Sequence, residues 1–187
     1  MTSSQAGRAG RNRQIVSGRV VLRELRREDL EAMERWPHFR EPDLQWANFD
    51  LHTPGQKDAW FRQELYDPAR RRFAILAGED LVGVVGLRHI DFRRGRATLG
   101  IRLSAGEVNK GYGTEAIVGL LAYAFGTLRL RQVDLDVAEG NHRAIRCYEK
   151  CGFRQVSRFR DYAAKVFVEM SVGVEEFERN RQKPLPS

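Results

Sequence analysis

The stretch VNKGYGTEA, residues 108–116, narrows the folds open to this chain more than any other feature. It joins an apolar strand, ATLGIRL (97–103), to a helix expected over 113–127. In that helix Ala116, Ile117, Leu120, Leu121, Ala124 and Phe125 recur at i, i+3, i+4 spacing, the mark of one buried face. Gly111 and Gly113 carry no Cβ, so a ligand can approach the backbone, and the free N–H groups of the first helical turn form an anion site. Lys110 adds a full positive charge and Thr114 a hydroxyl. Together these place a pyrophosphate here, although a G-x-G before a helix, taken alone, does not separate that reading from an ordinary flexible loop.

Residues 111–116 also fit the dinucleotide fingerprint G-x-G-x-x-G/A, with Asp134 and Asp136 about 20 residues on, where a ribose-binding acid belongs. The polar stretch 104–110 argues against it, because that fingerprint needs a tight strand-to-glycine turn. Only about 50 residues follow Asp136, too few for the second half of such a fold. A Walker A loop is excluded, since no G-K-[ST] is present.

A second element, NHRAIRCYEKCGF (141–153), follows the strand expected at 132–138. Asn141 is a good helix N-cap, and Tyr148 lies two turns further on the same side, about 10 Å along the axis. A polar group at the helix mouth and a phenol deeper in suit a long, thin ligand. A capped helix with a partly buried tyrosine would give the same residues.

Around these elements the periodicity predicts strands at 19–25, 71–78, 81–90, 97–103, 132–138, 153–160 and 164–173. Helices are expected at 28–36, from Thr53 to about Tyr66, at 113–127 and at 142–150. Thr53-Pro54-Gly55-Gln56 is a helix start, with Thr as cap, Pro in the first turn and Gln three residues on. This order predicts an α/β (α+β) fold: a mixed, mostly antiparallel, seven-stranded twisted sheet flanked by about four helices.

The two elements in this order and spacing resemble the GNAT acetyltransferase superfamily, especially its branch of ribosomal-protein N-terminal, spermidine and aminoglycoside acetyltransferases. The resemblance is strongest over 97–153 and looser over 19–173. It implies an N-acetyltransferase that passes an acetyl group from acetyl-CoA directly to an amine within a ternary complex. By resemblance, the backbone of Val108, Asn109, Lys110, Gly111, Tyr112, Gly113 and Thr114 binds the CoA pyrophosphate. Leu99, Ile101 and Leu103 lie along the pantetheine arm, Asn141 and Ala144 face it, and the strand at 132–138 splays away to admit it. Tyr148 matches the family's proton donor to the departing thiolate, and a backbone N–H would hold the oxyanion. Two departures stand out. Val108 occupies a position often held by Arg or Gln, and Thr98 stands where many members carry Glu. The base is therefore left among Glu139, Asp136 and His89, with Glu139 taken as the catalytic partner of Tyr148.

The amine acceptor is expected over 36–52, where Trp36, Asp43 and Trp46 are candidate substrate contacts by cation–π and charge pairing. The same tryptophans would equally well anchor helices to the sheet. A non-catalytic acyl-CoA-binding sensor or structural module is the alternative.

The 187 residues fit one domain at 15–177, between a disordered basic leader at 1–14 and a polar tail at 178–187. The net charge of +7 resides mainly in those ends: Arg8, Arg11 and Arg13 give the leader +3, the tail holds +2, and the domain keeps +2. Nucleic-acid binding is therefore not indicated. No apolar run approaches the roughly 18 residues of a membrane span, so no membrane partner is expected and the cytoplasm is the expected compartment. Cys147 and Cys151, four residues apart, share a helix face as core positions would, and no metal site is expected. A homodimer through the sheet edge is permitted.

Overall fold

The computed structural model describes residues 14–181 except 42, 43, 46, 47 and 52. The basic leader, all but its last residue, and residues 182–187 of the polar tail lie outside the described residues.

The chain opens with strands β1 (Ile15–Ser17) and β2 (Val20–Glu24), then helices α1 (Asp29–Glu34) and α2 (Pro54–Tyr66). Strands β3 (Arg71–Ala77), β4 (Asp80–Asp91) and β5 (Arg96–Leu103) follow, and a short 3-10 turn at Ala105–Glu107 leads to helix α3 (Tyr112–Gly126). Strand β6 (Gln132–Ala138), helix α4 (His142–Lys150), strands β7 (Arg154–Arg160) and β8 (Val166–Gly173) and helix α5 (Val174–Arg181) complete it.

The sheet runs β1-β2-β3-β4-β5-β6-β8-β7. Every neighbouring pair is antiparallel except β5 and β6. Among the described residues the expected seven strands become eight because β1, only three residues long, pairs with β2 through a tight turn. A strand that short carries too little alternation to be seen in sequence. The expected four helices likewise become five. The added α5 follows β8 without a break and buries only Phe177, so its polar sequence shows no apolar stripe.

Local chemistry explains the boundaries. Thr53 and Gln56 form the full capping box at the start of α2. The two residues Gly78 and Glu79 turn β3 into β4.

Two cores lie on opposite faces of the sheet. The larger one buries the anticipated stripe of α3 under Val20, Leu22, Val85, Leu99, Val133 and Leu135. Its α3 residues Ala116, Ile117, Leu120, Leu121 and Ala124 are fully inaccessible to solvent. The smaller core holds α1 and α2 against the other face through Leu30, Met33, Ala74 and Val84, with Trp36, Trp60 and Phe61 packed at its margin.

Candidate functional site

The sheet opens where its only parallel pair stops. β5 and β6 pair at Arg96 with Gln132, Ala97 with Val133 and Thr98 with Asp134, and no further. Beyond that point β5 stays with β4 as far as Leu103, and β6 stays with β8 as far as Ala138. Two strands tied to different neighbours diverge, leaving backbone groups and a gap between them.

A cavity of about 330 Å³ lies at this opening. The segment 108–114, strand β5 and the inner face of α4 wall it, and Phe39 and Leu44 close it from the loop before α2. Ten of the cofactor contacts expected from the sequence line it: Ile101, Leu103, Val108, Asn109, Gly111, Gly113, Thr114, Asn141, Ala144 and Tyr148.

The glycine segment has the geometry of an anion cradle. Gly111 precedes α3 with a left-handed φ of 88°, which only glycine adopts without strain, and α3 begins without a side-chain cap. Its first-turn N–H groups therefore face outward with the positive end of the helix dipole. At Gly113 a Cβ would lie 3.3 Å from Leu103 and 3.7 Å from the Cys147 sulfur, so glycine lets the helix start sit tight against β5 and α4. Arg19 braces the cradle from the start of β2. Its Nη2 donates to the Lys110 carbonyl at 2.7 Å, its Nε donates to Glu115 at 2.8 Å, and its guanidinium covers the Tyr112 ring at 5.2 Å.

On α4 the Asn141 Oδ1 accepts the Ala144 N–H at 3.1 Å, which caps the helix and leaves the amide NH2 for other work. Tyr148 is buried and packs edge-on against Phe153. Burial, then the neighbouring Cys147 and Cys151, push its phenol pKa well above the usual value. Asp136, on β6 past the point of divergence, also lines the cavity. Its side chain reaches the surface, yet its carboxyl pKa is raised, first by burial and then by Glu169, against the pull of Arg88.

Other expected residues lie elsewhere. Glu139 is ion-paired with Arg158 of β7 and does not line the cavity. Leu99 faces the large core beneath α3. The Lys110 ammonium pairs with Glu107 at 3.0 Å, outside the cavity. Trp36 donates its indole N–H to the Leu81 carbonyl at 3.2 Å and packs in the smaller core. Asp43 and Trp46 lie outside the described residues.

The structure also adds residues to the site. Cys147, read as core from sequence, lines the cavity, and so does Arg102. The signal was present in both cases. Cys147 sits one turn beyond Ala144 on the same helix face, and Arg102 shares the strand alternation of Thr98 and Gly100.

A mixed sheet parted between its two parallel strands, with an uncapped glycine turn at one end and a buried phenol at the other, defines a thioester-cofactor acyltransferase. The chain matches the model of the acetyltransferase (GNAT) domain over residues 19–154 and belongs to that family. It is an N-acetyltransferase that uses acetyl-CoA and an amine. It is 28% identical over 139 residues to a spermidine N(1)-acetyltransferase of Vibrio cholerae, covering 74% of this chain and 80% of that one. It is 25% identical over 158 residues to an aminoglycoside N(6')-acetyltransferase type 1 of Klebsiella pneumoniae, covering 73% and 74%. The fold matches the crystal structure of the V. cholerae spermidine N-acetyltransferase in complex with CoA and spermine, with a TM-score of 0.74 and 24% identity over 86% of this chain and 98% of that one.

Proposed function

We propose that acetyl-CoA lies in the gap between β5 and β6 and that Tyr148 and Asp136 handle the protons of transfer to a primary amine. The observation that carries this reading is that one cavity joins the amide cradle at Gly111 and Gly113, the cap residue Asn141, and Tyr148. The backbone N–H groups of 108–114 hold the pyrophosphate. The freed edge of β5 at Leu99, Ile101 and Leu103 pairs with the pantetheine amides. Asn141 donates its side-chain NH2 to the same arm, and the small Ala144 leaves it room.

The neutral amine nitrogen attacks the thioester carbonyl carbon, a C–N bond forms, and the C–S bond breaks. Tyr148, whose raised pKa keeps it protonated at neutral pH, gives its proton to the departing thiolate. The amine proton passes to Asp136, which faces the cavity where Glu139 does not. Holding both reactants together contributes up to about 7–11 kcal/mol in ideal alignment. The acceptor comes from the side of the sheet that carries α1 and α2. The relatives named for spermidine and aminoglycosides support an amine acceptor here.

The test is calorimetric titration of the purified protein with acetyl-CoA and, separately, with NADH, followed by CoA-thiol release across a set of amines. Saturable binding of acetyl-CoA alone, with amine-dependent thiol release, is expected. Binding of NADH in its place overturns the cradle assignment, and acetyl-CoA binding with no amine-dependent release overturns catalysis.

A further inference from the structure

The sheet face toward α1 and α2 carries a pattern that acetyl transfer to a simple amine does not need. Ala74 and Val84 are register partners and both belong to the core on that face. Side chains two residues apart on a strand share a face, so Arg72, Gly86 and Arg88 lie there too, with their β5 partners. Val84 pairs with Arg102, Gly86 with Gly100, and Arg88 with Thr98. Gly86 lets the β3 backbone close in, since an added Cβ there would collide with the Arg71 carbonyl, and Gly100 beside it leaves a bare patch flanked by arginines. A Cβ added at Gly100 would meet only the Arg72 Nη1, at 4.0 Å, so the space above it is open.

The arginines differ in what they touch. Arg72 is held by Glu64 at 2.8 Å. Among the described residues Arg102 makes no ion pair; it lines the cavity with its guanidinium over the Phe49 ring at 5.9 Å. Asp50 and Glu64 attract it from a distance, while burial and Arg72 push its pKa down. Arg88 has a buried Nε with no hydrogen-bond partner among the described residues. A guanidinium cannot shed its proton, so a part-buried one whose nearest carboxylates act only from a distance carries a desolvation cost that no direct ion pair offsets. Its planar fork matches the two oxygens of a carboxylate or phosphate.

We propose that the acceptor amine carries an oxyanion, which seats on Arg102. This rests on the acetyl-transfer reading above and names the substrate class for the same site. The amine end lies toward Asp136 and Thr98. There Arg88, about 13 Å from Arg102 along the strands, favours the neutral form of the reacting amine, and Arg102 at the other end disfavours a second positive charge. A polycation such as spermidine fits this face poorly, whereas an amino acid or a phosphorylated amine fits it.

The test is steady-state acetylation of matched pairs: β-alanine, 6-aminohexanoate and L-lysine against their carboxamides, and O-phosphoethanolamine against ethanolamine, with spermidine alongside. The anionic member of a pair is expected to show kcat/KM higher by about tenfold or more, as the loss of a charge-assisted hydrogen bond requires. The carboxylate and phosphate arms tell which oxyanion is preferred. Arg102→Gln is expected to erase the preference between the paired acceptors, and Arg102→Lys to restore part of it. Equal or faster turnover of the amines that lack the oxyanion, or of spermidine, overturns this proposal alone. A preference that survives Arg102→Gln also overturns it. Binding of acetyl-CoA with no amine turned over overturns the transfer reading together with it.

Discussion

The Thr114 hydroxyl lies 3.3 Å from the Cys147 sulfur, joining the first turn of α3 to the inner face of α4 within the cavity wall. The neighbouring Cys151 thiol first, then that contact, lower the Cys147 pKa below the usual thiol value against the opposing effect of burial, and Lys150 adds a smaller pull. Thiolate is the reactive form. Alkylation of Cys147 by iodoacetamide is expected to rise at a pH below the ordinary thiol range, to slow when acetyl-CoA fills the cavity, and to shift to higher pH in Thr114→Ala. Mass-spectrometric labelling over pH 5–10 checks this. Reactivity that appears only above pH 9, or that ignores acetyl-CoA, contradicts it.

Arg19 reaches from β2 to the Lys110 carbonyl and to Glu115, and a Cβ at Gly111 would come within 2.8 Å of its Nη2. It shapes the cradle from outside without facing the cavity. Arg19→Ala is expected to raise the KM for acetyl-CoA about tenfold and to leave kcat within about twofold, the signature of lost uniform binding. Steady-state kinetics at saturating amine separate the two constants. A fall in kcat alone would contradict a bracing role.

Asn141 has two parts with separable duties. Its Oδ1 caps α4, and in the proposed complex its NH2 donates to the cofactor. Aspartate also caps well but cannot donate, so Asn141→Asp is expected to keep the melting temperature and lose acetyl-CoA affinity. Asn141→Ala loses both, at about 1 kcal/mol for the missing cap. Thermal melts paired with calorimetry decide, and unchanged affinity in Asn141→Asp removes Asn141 from the cofactor site.

Much of this was legible in the sequence because it rests on local rules. The α3 stripe, the Thr53 capping box and the Asn141 cap each follow from a few adjacent residues. The divergence of β5 from β6 was not legible from residues alone, because it depends on which neighbour each strand keeps. Resemblance to a family supplied it. Arg102, Arg88 and Gly100 escaped notice for the same reason. Their meaning comes from cross-strand register, which places Gly86 beside Gly100 and Arg72 across both. Glu139, taken from the sequence as the catalytic partner of Tyr148, and Asp136 are both carboxylates near the end of one strand. An ion pair to Arg158, made by a strand that follows in the chain, separates them.

Tyr148 is expected to act on the leaving group and little on binding. Tyr148→Phe removes the proton while preserving the ring that packs on Phe153. Turnover is expected to fall about a hundredfold, within the range of a lost general acid, with the acetyl-CoA dissociation constant changed less than about threefold. Equal losses in turnover and affinity would make the hydroxyl a binding group.

Asp136 links catalysis to stability, with opposite signs. Its folded-state pKa lies above that of a free aspartate, chiefly through burial and then Glu169. A carboxyl that binds its proton more tightly when folded favours the fold at pH below its unfolded pKa, and that contribution is lost as pH rises through the folded pKa. At neutral pH the charged Asp136 is therefore a liability to the fold. Asp136→Asn is expected to raise the melting temperature at pH 7 and to have little effect at pH 3, where wild type is already protonated. The same substitution is expected to lower kcat/KM and to remove the acid limb of its pH profile, which in wild type should fall at a pH above the ordinary aspartate range. Melts at the two pH values and a pH–rate profile with a single amine test both halves. A variant that is destabilised at pH 7, or that keeps the acid limb, removes Asp136 from the role of base.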